Sequence, residues 1–429
     1  MTEDQKLFSK KFYSEYFYHS DLFPINKNLI NNNISTKLIR NFFINIFKVL
    51  YYLLINLNFN NKKLKLNNNV FISHINPSFK FDKKEKYFGK LIRNKDMIIY
   101  ISHDKEQKKI PEHIIFPKSL HFFVELKILW KLIKDFKSLV EVLLKKKQNK
   151  KKYVKLIINL ITPLSTLNLR YYYAFKEIYK NENLKHIFIT FEGHCYERAI
   201  IKSMKEQGKK IYAYQHGAIN EENLSIFMKL KKNLMPDKIL TSGLITYQYF
   251  INKKFNDYEL NIVGSNRYNP IIKNEKKLNK NILVIPDGTL NETQLLFDFI
   301  KKISVKNKQY KFYFKMHPDA IFKKKFIGNH SIIIINKNIR NFYNKTSFVL
   351  YSNSSYVINC VKNNMIPLYY NHIIDNNVLQ KFSKYIEIDD NFLINVKLNN
   401  YKIIKNELLE FAKNYYLNYN YENIKELSN

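Results

Sequence analysis

From residue 186 onward, short apolar runs alternate with longer amphipathic segments, and this alternation constrains the fold more than any other feature. Strands are predicted at 186–191, 210–215, 237–242, 261–264, 281–286, 311–316, 331–336, 347–352 and 365–370. Helices are predicted between them at 197–208, 244–254, 291–303 and 354–363, and a last one near 402–417. Strands that alternate with helices predict parallel sheets covered by helices, which is the α/β class.

A polar segment at 265–280 divides the alternation into two units. We predict an N-terminal domain over 1–264, helical and aromatic-rich over about 1–180 and α/β over about 181–264. The second domain covers 281–429 and ends in a closing helix. Two Rossmann-like domains of this kind face each other across a cleft, and ligands bind at the carboxyl ends of parallel strands. The residues directly after each strand are therefore the candidates for chemistry.

The charge is strongly basic, because 72 Lys and Arg face 36 Asp and Glu for a net charge of +36. Lys, Asn, Ile, Phe and Tyr are abundant while only 8 glycines occur, a composition typical of an AT-rich genome. The lysines are spread through the chain and no recognition motif accompanies them, which argues against nucleic acid as a partner. Two cysteines exclude a disulfide framework and suit a reducing cytoplasm.

Two N-terminal features bear on membranes. Residues 41–59 are the most apolar stretch, but Asn45, Lys48 and Asn56 interrupt it, so it predicts either a buried helix or a helix on a membrane surface. The lysine run at 144–155 suits anionic lipid, or is simply a solvated face. The chain begins without the apolar core of a signal peptide, and we expect a cytoplasmic protein, peripheral on the inner face of the membrane.

Polar side chains cluster after the first strands of the alternation. Those after strands 186–191 and 210–215 are Glu192, His194, Glu197, Arg198, Gln215 and His216. Glu192 fits a general base or a ligand of a sugar hydroxyl, or else a first-turn carboxylate that the helix dipole favours. His216 fits the same site, or else a buried histidine with a structural role.

A second set follows the strands of the C-terminal unit: Asp287, Gly288, Lys315, His317, Pro318, Ser352, Ser354 and Ser355. Pro-Asp-Gly at 286–288 is also plain turn chemistry. Lys315 and His317 donate to phosphate oxygens, and Ser354 or Ser355 is expected to cap the next helix, at a helix end suited to an anion. Neither GxGxxG nor a P-loop occurs, so no nicotinamide or P-loop cofactor is predicted.

The segments 191–217, 236–243 and 263–268 resemble bacterial surface-carbohydrate biosynthesis proteins. The second half is similar to GT-B glycosyltransferases of the sialyltransferase and polysialyltransferase type, which pair an acid and glycine with a K-x-H-P element and a later serine pair. The resemblance covers about 186–370 and implies a GT-B-like fold, with 1–264 on the acceptor side and 281–429 binding the donor. It implies a nucleotide-sugar co-substrate, CMP-linked as in those enzymes, and a glycan or lipid-linked glycan acceptor.

Carried over by motif, Glu192 or Asp287 is the catalytic base, and we favour Glu192 because an acceptor base belongs opposite the donor domain. Lys315, His317, Pro318, Ser352, Ser354, Ser355 and Gly288 would bind the donor. His194, Glu197, Arg198, Gln215 and His216 would shape the acceptor pocket. No DxD stands at a strand end of the cleft, so no metal is predicted.

Four alternatives stay open at the level of sequence. A nucleotide-sugar epimerase and a poly(alditol phosphate) transferase share the fold and parts of the motif set. A basic protein that binds nucleic acid or membrane without catalysis would show steep salt dependence. A non-catalytic partner of a glycan assembly complex would tolerate loss of Glu192 and His317.

Overall fold

The computed structural model describes residues 47, 50, 54, 69–74, 85, 87–93, 96–101, 114–115, 120–145, 163–177, 184–220, 226–271, 278–287, 290–316, 330–335, 338–371, 377–389, 394–420 and 422. Within them lie two separate parallel sheets, each flanked by helices. The prediction of an α/β protein with two Rossmann-like domains is confirmed.

The first sheet has seven strands in the order β3-β2-β1-β4-β5-β6-β7, all parallel. Its strands are β1 (Asn69–His74), β2 (Met97–Ile101), β3 (Ile114–Ile115), β4 (His186–Thr190), β5 (Lys210–Gln215), β6 (Lys238–Thr241) and β7 (Glu259–Ile262). Its helices are α1 (Phe122–Lys145), α2 (Pro163–Glu177), α3 (Cys195–Lys205) and α4 (Leu244–Asn252), with short 3-10 turns at Gly89–Leu91 and Lys232–Leu234.

The second sheet has six strands in the order β10-β9-β8-β11-β12-β13, again all parallel. Its strands are β8 (Asn281–Ile285), β9 (Lys311–Lys315), β10 (Ile332–Ile335), β11 (Phe348–Tyr351), β12 (Ile366–Tyr370) and β13 (Glu387–Ile388). Its helices are α5 (Leu290–Lys306), α6 (Val357–Lys362), α7 (Ser383–Ile386) and α8 (Ile394–Tyr415), with 3-10 turns at Ile339–Phe342 and Gln380–Phe382.

Before residue 181 the structure has three strands of the first sheet, β1 to β3, as well as the helices α1 and α2. Strands β1 and β2 coincide with strand-like apolar runs of the sequence at 70–74 and 97–102. Strand β1 pairs with β4, and Ile72 lies opposite Ile189. The sequence shows β1 and β2 as isolated apolar runs without a repeating helix between them. Their pairing with a strand more than a hundred residues away leaves no local pattern.

The strands of the first sheet sort their side chains by alternation. On one face Ile72, Ile187 and Ile211 join the core beneath α1, α2 and α3. On the other face Phe71 stacks on Phe188 with ring centroids 4.4 Å apart. Both faces are therefore apolar, as expected of a parallel sheet covered on two sides.

The end of the chain returns to the first domain. Helix α8 packs in the core of the second domain, and the residues after it hydrogen-bond to loops of the first. The amide of Leu417 donates to Ser242, and the amide of Ser265 donates to Leu417, at 3.0 and 2.9 Å. Gly264 has a φ of +91°, and a Cβ there would overlap the backbone of Asn418, so only glycine fits this close approach.

The strand order reverses once in each sheet, between β1 and β4 and between β8 and β11. Such a reversal leaves a crevice at the carboxyl ends of the two strands, where open α/β sheets bind ligands. The loops at the two reversals begin at Glu192 after β4 and at Ser352 after β11. Of the helices that the structure describes, none combines the length and the apolar character that crossing a membrane requires.

Candidate active site between the two sheets

A cavity of about 210 Å³ lies where the loops after β4, β5 and β11 meet. Both domains line it, with Glu192, Gly217, Ala218, Ile219, Asn220 and Arg267 from the first and Asn353, Ser355 and Val378 from the second. Its walls therefore combine a carboxylate, a guanidinium, a hydroxyl and two amides. That is the chemistry of a site for a polar, partly anionic ligand.

Glu192 stands between two histidines. His194 Nε2 lies 3.2 Å from Glu192 Oε2, and His216 Nε2 lies 3.4 Å from Glu192 Oε1. Gly217 makes room for this carboxylate, because a Cβ at that position would overlap Glu192 Oε1. The ring of Tyr87 packs edge-on against His216, with centroids 4.5 Å apart. The carboxylate is half-buried and open to the cavity.

The turn that presents Glu192 is built by a second, buried glutamate. Glu197 in the first turn of α3 accepts the backbone N–H of Glu192 at 3.0 Å, the backbone N–H of His194 at 2.8 Å and the Tyr196 hydroxyl at 3.0 Å. Gly193 takes a φ of +82° between them. Burial raises the pKa of Glu197 to about 7, and the charge of Glu192 acts in the same direction.

The electrostatics favour an ionised Glu192. Burial alone would raise the pKa of its carboxyl, but the hydrogen bond from His194, the charges that His216 and His194 carry when protonated, and the smaller contribution of Arg267 hold that pKa below its usual range. Burial lowers the pKa of His216 to about 4, so this imidazole is neutral at neutral pH. As a neutral ring, His216 lies beside the Glu192 carboxylate at 3.4 Å without adding charge.

Other lining residues of the cavity offer hydrogen-bond donors and an acceptor. Arg267 Nη1 donates to Ser355 Oγ at 3.1 Å, which is a direct contact between the two domains. Asn353 Oδ1 is buried in the same lining and has no hydrogen-bond partner within the described part of the chain. A buried amide oxygen without a partner is costly, and a ligand hydroxyl in the cavity would satisfy it.

The second candidate base occupies a similar turn but lies away from the cavity. The backbone N–H of Asp287 donates to Glu292 Oε2 at 2.9 Å, and Glu292 is buried in the first turn of α5. Burial raises the pKa of Glu292 to about 8, assisted by the charge of Asp287. Asp287 is not among the residues that line the cavity, whereas Glu192 is.

Three of the residues expected in an acceptor pocket lie beneath it instead. Glu197 is buried under the turn, as described above. Arg198 is buried and donates to the carbonyls of Gly193 and Leu234. Gln215 donates to the Gly217 carbonyl and accepts from the Ser242 hydroxyl at 3.1 Å. The hydrogen bonds of these three side chains hold the loops that carry Glu192 and Gly217. The three residues therefore position the site and do not line it.

The residues expected to bind a donor are only partly brought together. Ser355 lines the cavity, while Ser352 is buried and Ser354 is half-buried outside the lining. Lys315 is half-buried at the end of β9, where burial lowers its pKa, and it is not part of the lining. Gly288, His317 and Pro318 lie outside the described residues.

The capping prediction for the serine pair is wrong. Helix α6 begins at Val357 with Tyr356 as its N-cap, and no side-chain hydrogen bond caps it. Ser354 and Ser355 act through their backbone carbonyls, which accept the amides of Val357 and Ile358 at 3.3 Å. The turn before α6 is therefore closed by backbone, and the Ser355 hydroxyl stays at the cavity.

Sequence reasoning missed Arg267, Asn353 and Asn220. Arg267 falls in the segment interpreted as a polar linker, and its position after the end of β7 was the available signal. Asn353 stands between the serines that were singled out, and Asn220 follows the His-Gly pair by three residues. Among the described residues, no group of three or more His, Cys, Asp and Glu is arranged to hold a metal ion.

No protein-family model matches the chain, and no curated protein matches it either. Several solved structures have a backbone path similar to that of this chain. One is the glycosyltransferase SnogD from Streptomyces nogalater, with a TM-score of 0.47 and 8% identity, covering 84% of this chain and 98% of that one. A second is UDP-GlcNAc 2-epimerase from Neisseria meningitidis, with a TM-score of 0.43 and 10% identity, covering 84% and 98%.

A third is MurG from Acinetobacter baumannii, with a TM-score of 0.41 and 8% identity, covering 80% of this chain and 93% of that one. The chain's own structure shows two parallel α/β sheets whose loops line one cavity. With TM-scores below 0.5 and identities of 8–10%, these resemblances decide neither the fold nor the chemistry of this chain. The chemistry of this chain has to be argued from its own residues.

Proposed function

We propose that this chain is a glycosyltransferase that moves a sugar from a nucleotide-sugar donor to a hydroxyl of a glycan acceptor. One observation carries the proposal: an ionised carboxylate from the first domain and hydrogen-bond donors from both domains face the same cavity. A transferase of this kind needs a base at the acceptor hydroxyl and cationic or polar donors at the departing phosphate.

In the proposed reaction Glu192 accepts the proton of the acceptor hydroxyl. The hydroxyl oxygen forms a bond to the anomeric carbon as the bond from that carbon to the phosphate oxygen breaks. The nucleotide leaves with the electron pair of the broken bond. His194 Nε2 holds the carboxylate through a hydrogen bond of 3.2 Å, and the neutral His216 lies beside it with Nε2 3.4 Å away.

The charge that develops on the phosphate is met by Arg267, whose guanidinium is exposed to the cleft beside Ser355. Arginine and hydroxyl donors suit phosphate oxygens. Asn353 Oδ1 would take a sugar hydroxyl. The cavity of about 210 Å³ is smaller than the roughly 300–1,000 Å³ of a whole ligand pocket. It therefore suits the sugar and phosphate at the reacting end, with the nucleoside and acceptor extending beyond it.

The donor and acceptor classes come from the sequence resemblance. The proposed donor is a CMP-linked sugar of the nonulosonic acid class, and the proposed acceptor is a precursor of a surface polysaccharide or lipopolysaccharide. Lipid-linked precursors of that kind lie at the cytoplasmic face of the membrane, where we place the enzyme as a peripheral protein. Lys315 and His317 remain proposed donor ligands on the motif alone.

The first experiment measures the melting temperature of the purified protein against CMP, CDP, UDP, UMP, GDP and ADP. A ligand that binds only the folded state stabilises it by about 2.7 kcal/mol at a hundred times its dissociation constant. Stabilisation by CMP that is lost in Arg267→Ala and His317→Ala supports the proposed donor. Asp287→Asn is the matched control, because Asp287 lies outside the cavity lining.

Stabilisation by UDP alone would replace the CMP donor with a UDP-sugar, and an epimerase would then convert that sugar without any acceptor. Absence of stabilisation by every nucleotide would contradict the proposal. Turnover of the stabilising nucleotide's sugar, with and without a glycan acceptor, separates transfer from epimerisation.

A further inference from the structure

Helix α1 exposes an apolar stripe on its outer face. The stripe consists of Phe123, Leu126, Trp130 and Ile133, which follow one another at spacings of three and four residues. That spacing places all four on one side of the helix. Phe123 is 62% exposed and Trp130 is 71% exposed, values that are high for aromatic side chains of a folded protein.

The opposite face of α1 is fixed to the domain. Val124 and Ile128 are buried in the core of the first domain. Between them Glu125 forms a buried ion pair with Arg170 of α2, with Nε to Oε1 at 3.0 Å and Nη2 to Oε2 at 3.2 Å. A rotation of α1 that buried Trp130 would break this pair and leave a charge without a partner, which is strongly unfavourable. The stripe is therefore held outward.

Lysines flank the stripe. Lys127, Lys134 and Lys137 are exposed on α1. The sequence continues from the exposed Leu144 directly into further lysines, at 145–147, 150–152 and 155. Among the side chains that the structure describes, two acidic groups lie near the exposed face: Glu177, which contacts Lys127 at 3.5 Å, and Glu141, which is exposed on α1 itself. The face is thus basic overall, with an aromatic and aliphatic centre.

We propose that the outer face of α1 docks on an anionic lipid bilayer, with Phe123 and Trp130 in the headgroup region and the lysines against lipid phosphates. An amphipathic helix with aromatic residues on one side and lysines beside them has the composition of an interfacial helix. Folded proteins rarely leave a contiguous apolar patch of this kind exposed without a partner. The flanking lysines select an anionic lipid surface as that partner. The proposal rests on this surface alone and stands independently of the glycosyltransferase activity.

Exposed apolar side chains also occur at Phe47, Leu50 and Leu54, which are helical. They belong to the 41–59 stretch, for which a buried helix and a membrane-surface helix were both predicted. At these three positions the exposure fits the membrane-surface alternative.

The protein carries its own reporter, because Trp130 is the one tryptophan of the 429 residues. Full-length protein is titrated with vesicles of equal parts phosphatidylglycerol and phosphatidylcholine, and with vesicles of phosphatidylcholine alone. We expect the tryptophan emission to shift to shorter wavelength and to become protected from acrylamide with the anionic vesicles. The shift should weaken steeply as salt is raised, since exposed charges are screened within about 10 Å at 0.1 M.

The matched variants keep Trp130. Phe123→Ser with Leu126→Ser and Ile133→Ser should lower the vesicle partition coefficient by at least about tenfold, because three apolar side chains leave the interface. Leu290→Ser with Val305→Ser and Ile403→Ser removes equally exposed apolar side chains from α5 and α8, and should bind as the wild type does.

Three results would overturn the proposal. The emission does not shift with either vesicle, or both triple variants bind alike, or the shift appears without vesicles and grows with protein concentration. The last result would assign the stripe to a contact between two copies of the chain. Melting temperatures of both variants, together with CMP stabilisation, separate loss of docking from loss of fold or of the donor site.

Discussion

The two domains share one turn, which follows a strand and consists of an acidic residue, a glycine and a glutamate five positions after the acid. Glu192 is followed by Gly193 and, five positions after the acid, by Glu197. Asp287 is followed by Gly288 and, at the same distance, by Glu292. In each case the buried glutamate accepts the backbone N–H of the acid, at 3.0 Å in the first turn and 2.9 Å in the second.

The surroundings of the two acids differ. Glu192 has Gly217 beside it, a histidine on each carboxylate oxygen and Arg267 nearby, and it opens on a cavity that both domains line. Asp287 lies outside that lining. A strand-end acid and its glycine thus build a turn, while the neighbouring loop and the opposite domain decide whether the turn becomes a site.

The largest expected effect separates the two acids directly. Glu192→Gln should lower kcat for sugar transfer by about 10²–10⁴-fold, because it removes the proposed general base while keeping the size of the side chain. Asp287→Asn should change kcat by less than about threefold. Rates are compared with the donor that stabilises the wild type. Equal losses in both variants would show that the two turns share the chemistry.

The space beside the first acid provides the next test. Gly217→Ala should displace the Glu192 carboxylate and lower kcat by about 10- to 100-fold, since a misplacement of about 1 Å can have that effect. The fold should persist, because the displaced group is the end of a flexible side chain. Melting temperature and kcat are measured together.

Gly208→Ala is the matched control for that substitution. Gly208 has a φ of +73°, and no atom lies within 4 Å of the point that an alanine Cβ would occupy, so alanine meets backbone strain without a clash. This variant should lose about 1 kcal/mol of stability and keep its kcat. A loss of activity in Gly208→Ala comparable to that in Gly217→Ala would contradict the steric explanation.

The third prediction concerns the effect of Arg267 on the pKa of Glu192. Burial opposes the low pKa of Glu192, while His194, His216 and, to a smaller extent, Arg267 hold that pKa down. Arg267→Gln should therefore raise that pKa and move the acid limb of the kcat/KM profile to higher pH. Asp287→Asn should leave the limb in place. An unchanged limb in Arg267→Gln would separate Arg267 from the base.

In both turns the buried glutamate makes the stability of the fold depend on pH. The pKa of Glu292 is raised from 4.5 to about 8, and that of Glu197 from 4.5 to about 7. The folded state thus binds these protons more tightly than the unfolded state does. The stability that each protonated glutamate contributes to the fold is fully present below pH 4.5. It is lost as the pH rises through about 8 for Glu292 and about 7 for Glu197.

Denaturant unfolding between pH 5 and 8.5 measures this loss. In Glu292→Gln the free energy of unfolding should fall by roughly 2–4 kcal/mol less than in the wild type as the pH rises to about 8. In Glu197→Gln the fall should be smaller than in the wild type only up to about pH 7. A decline in either variant that runs parallel to that of the wild type would mean that its glutamate titrates normally in the fold.

The alternation after residue 186 was enough to predict the two parallel sheets, because each strand is a short apolar run and each helix has a polar face. It was also enough to single out Glu192, since the carboxyl end of a strand is visible in the sequence. The part played by β1 in the first sheet was not predictable, because its partner β4 lies beyond two long helices.

The same limit explains the errors at the site. Glu197, Arg198 and Gln215 are polar and close to Glu192 in sequence, yet their side chains turn beneath the loop to satisfy backbone and hydroxyl groups. Arg267 is distant in sequence and reaches the cavity through the fold. Whether a polar residue faces a cavity or supports it depends on a packing direction that spacing alone does not encode.

The most direct test of the central claim asks whether both domains bind one ligand. Isothermal titration measures the affinity of the stabilising nucleotide for the wild type, for Arg267→Ala in the first domain and for Asn353→Ala in the second. Asp287→Asn is the control. A shared site predicts that each of the two wall variants weakens binding by about tenfold or more while the control binds normally. Full affinity in both wall variants would contradict it, and the cavity would not be the site of the proposed chemistry.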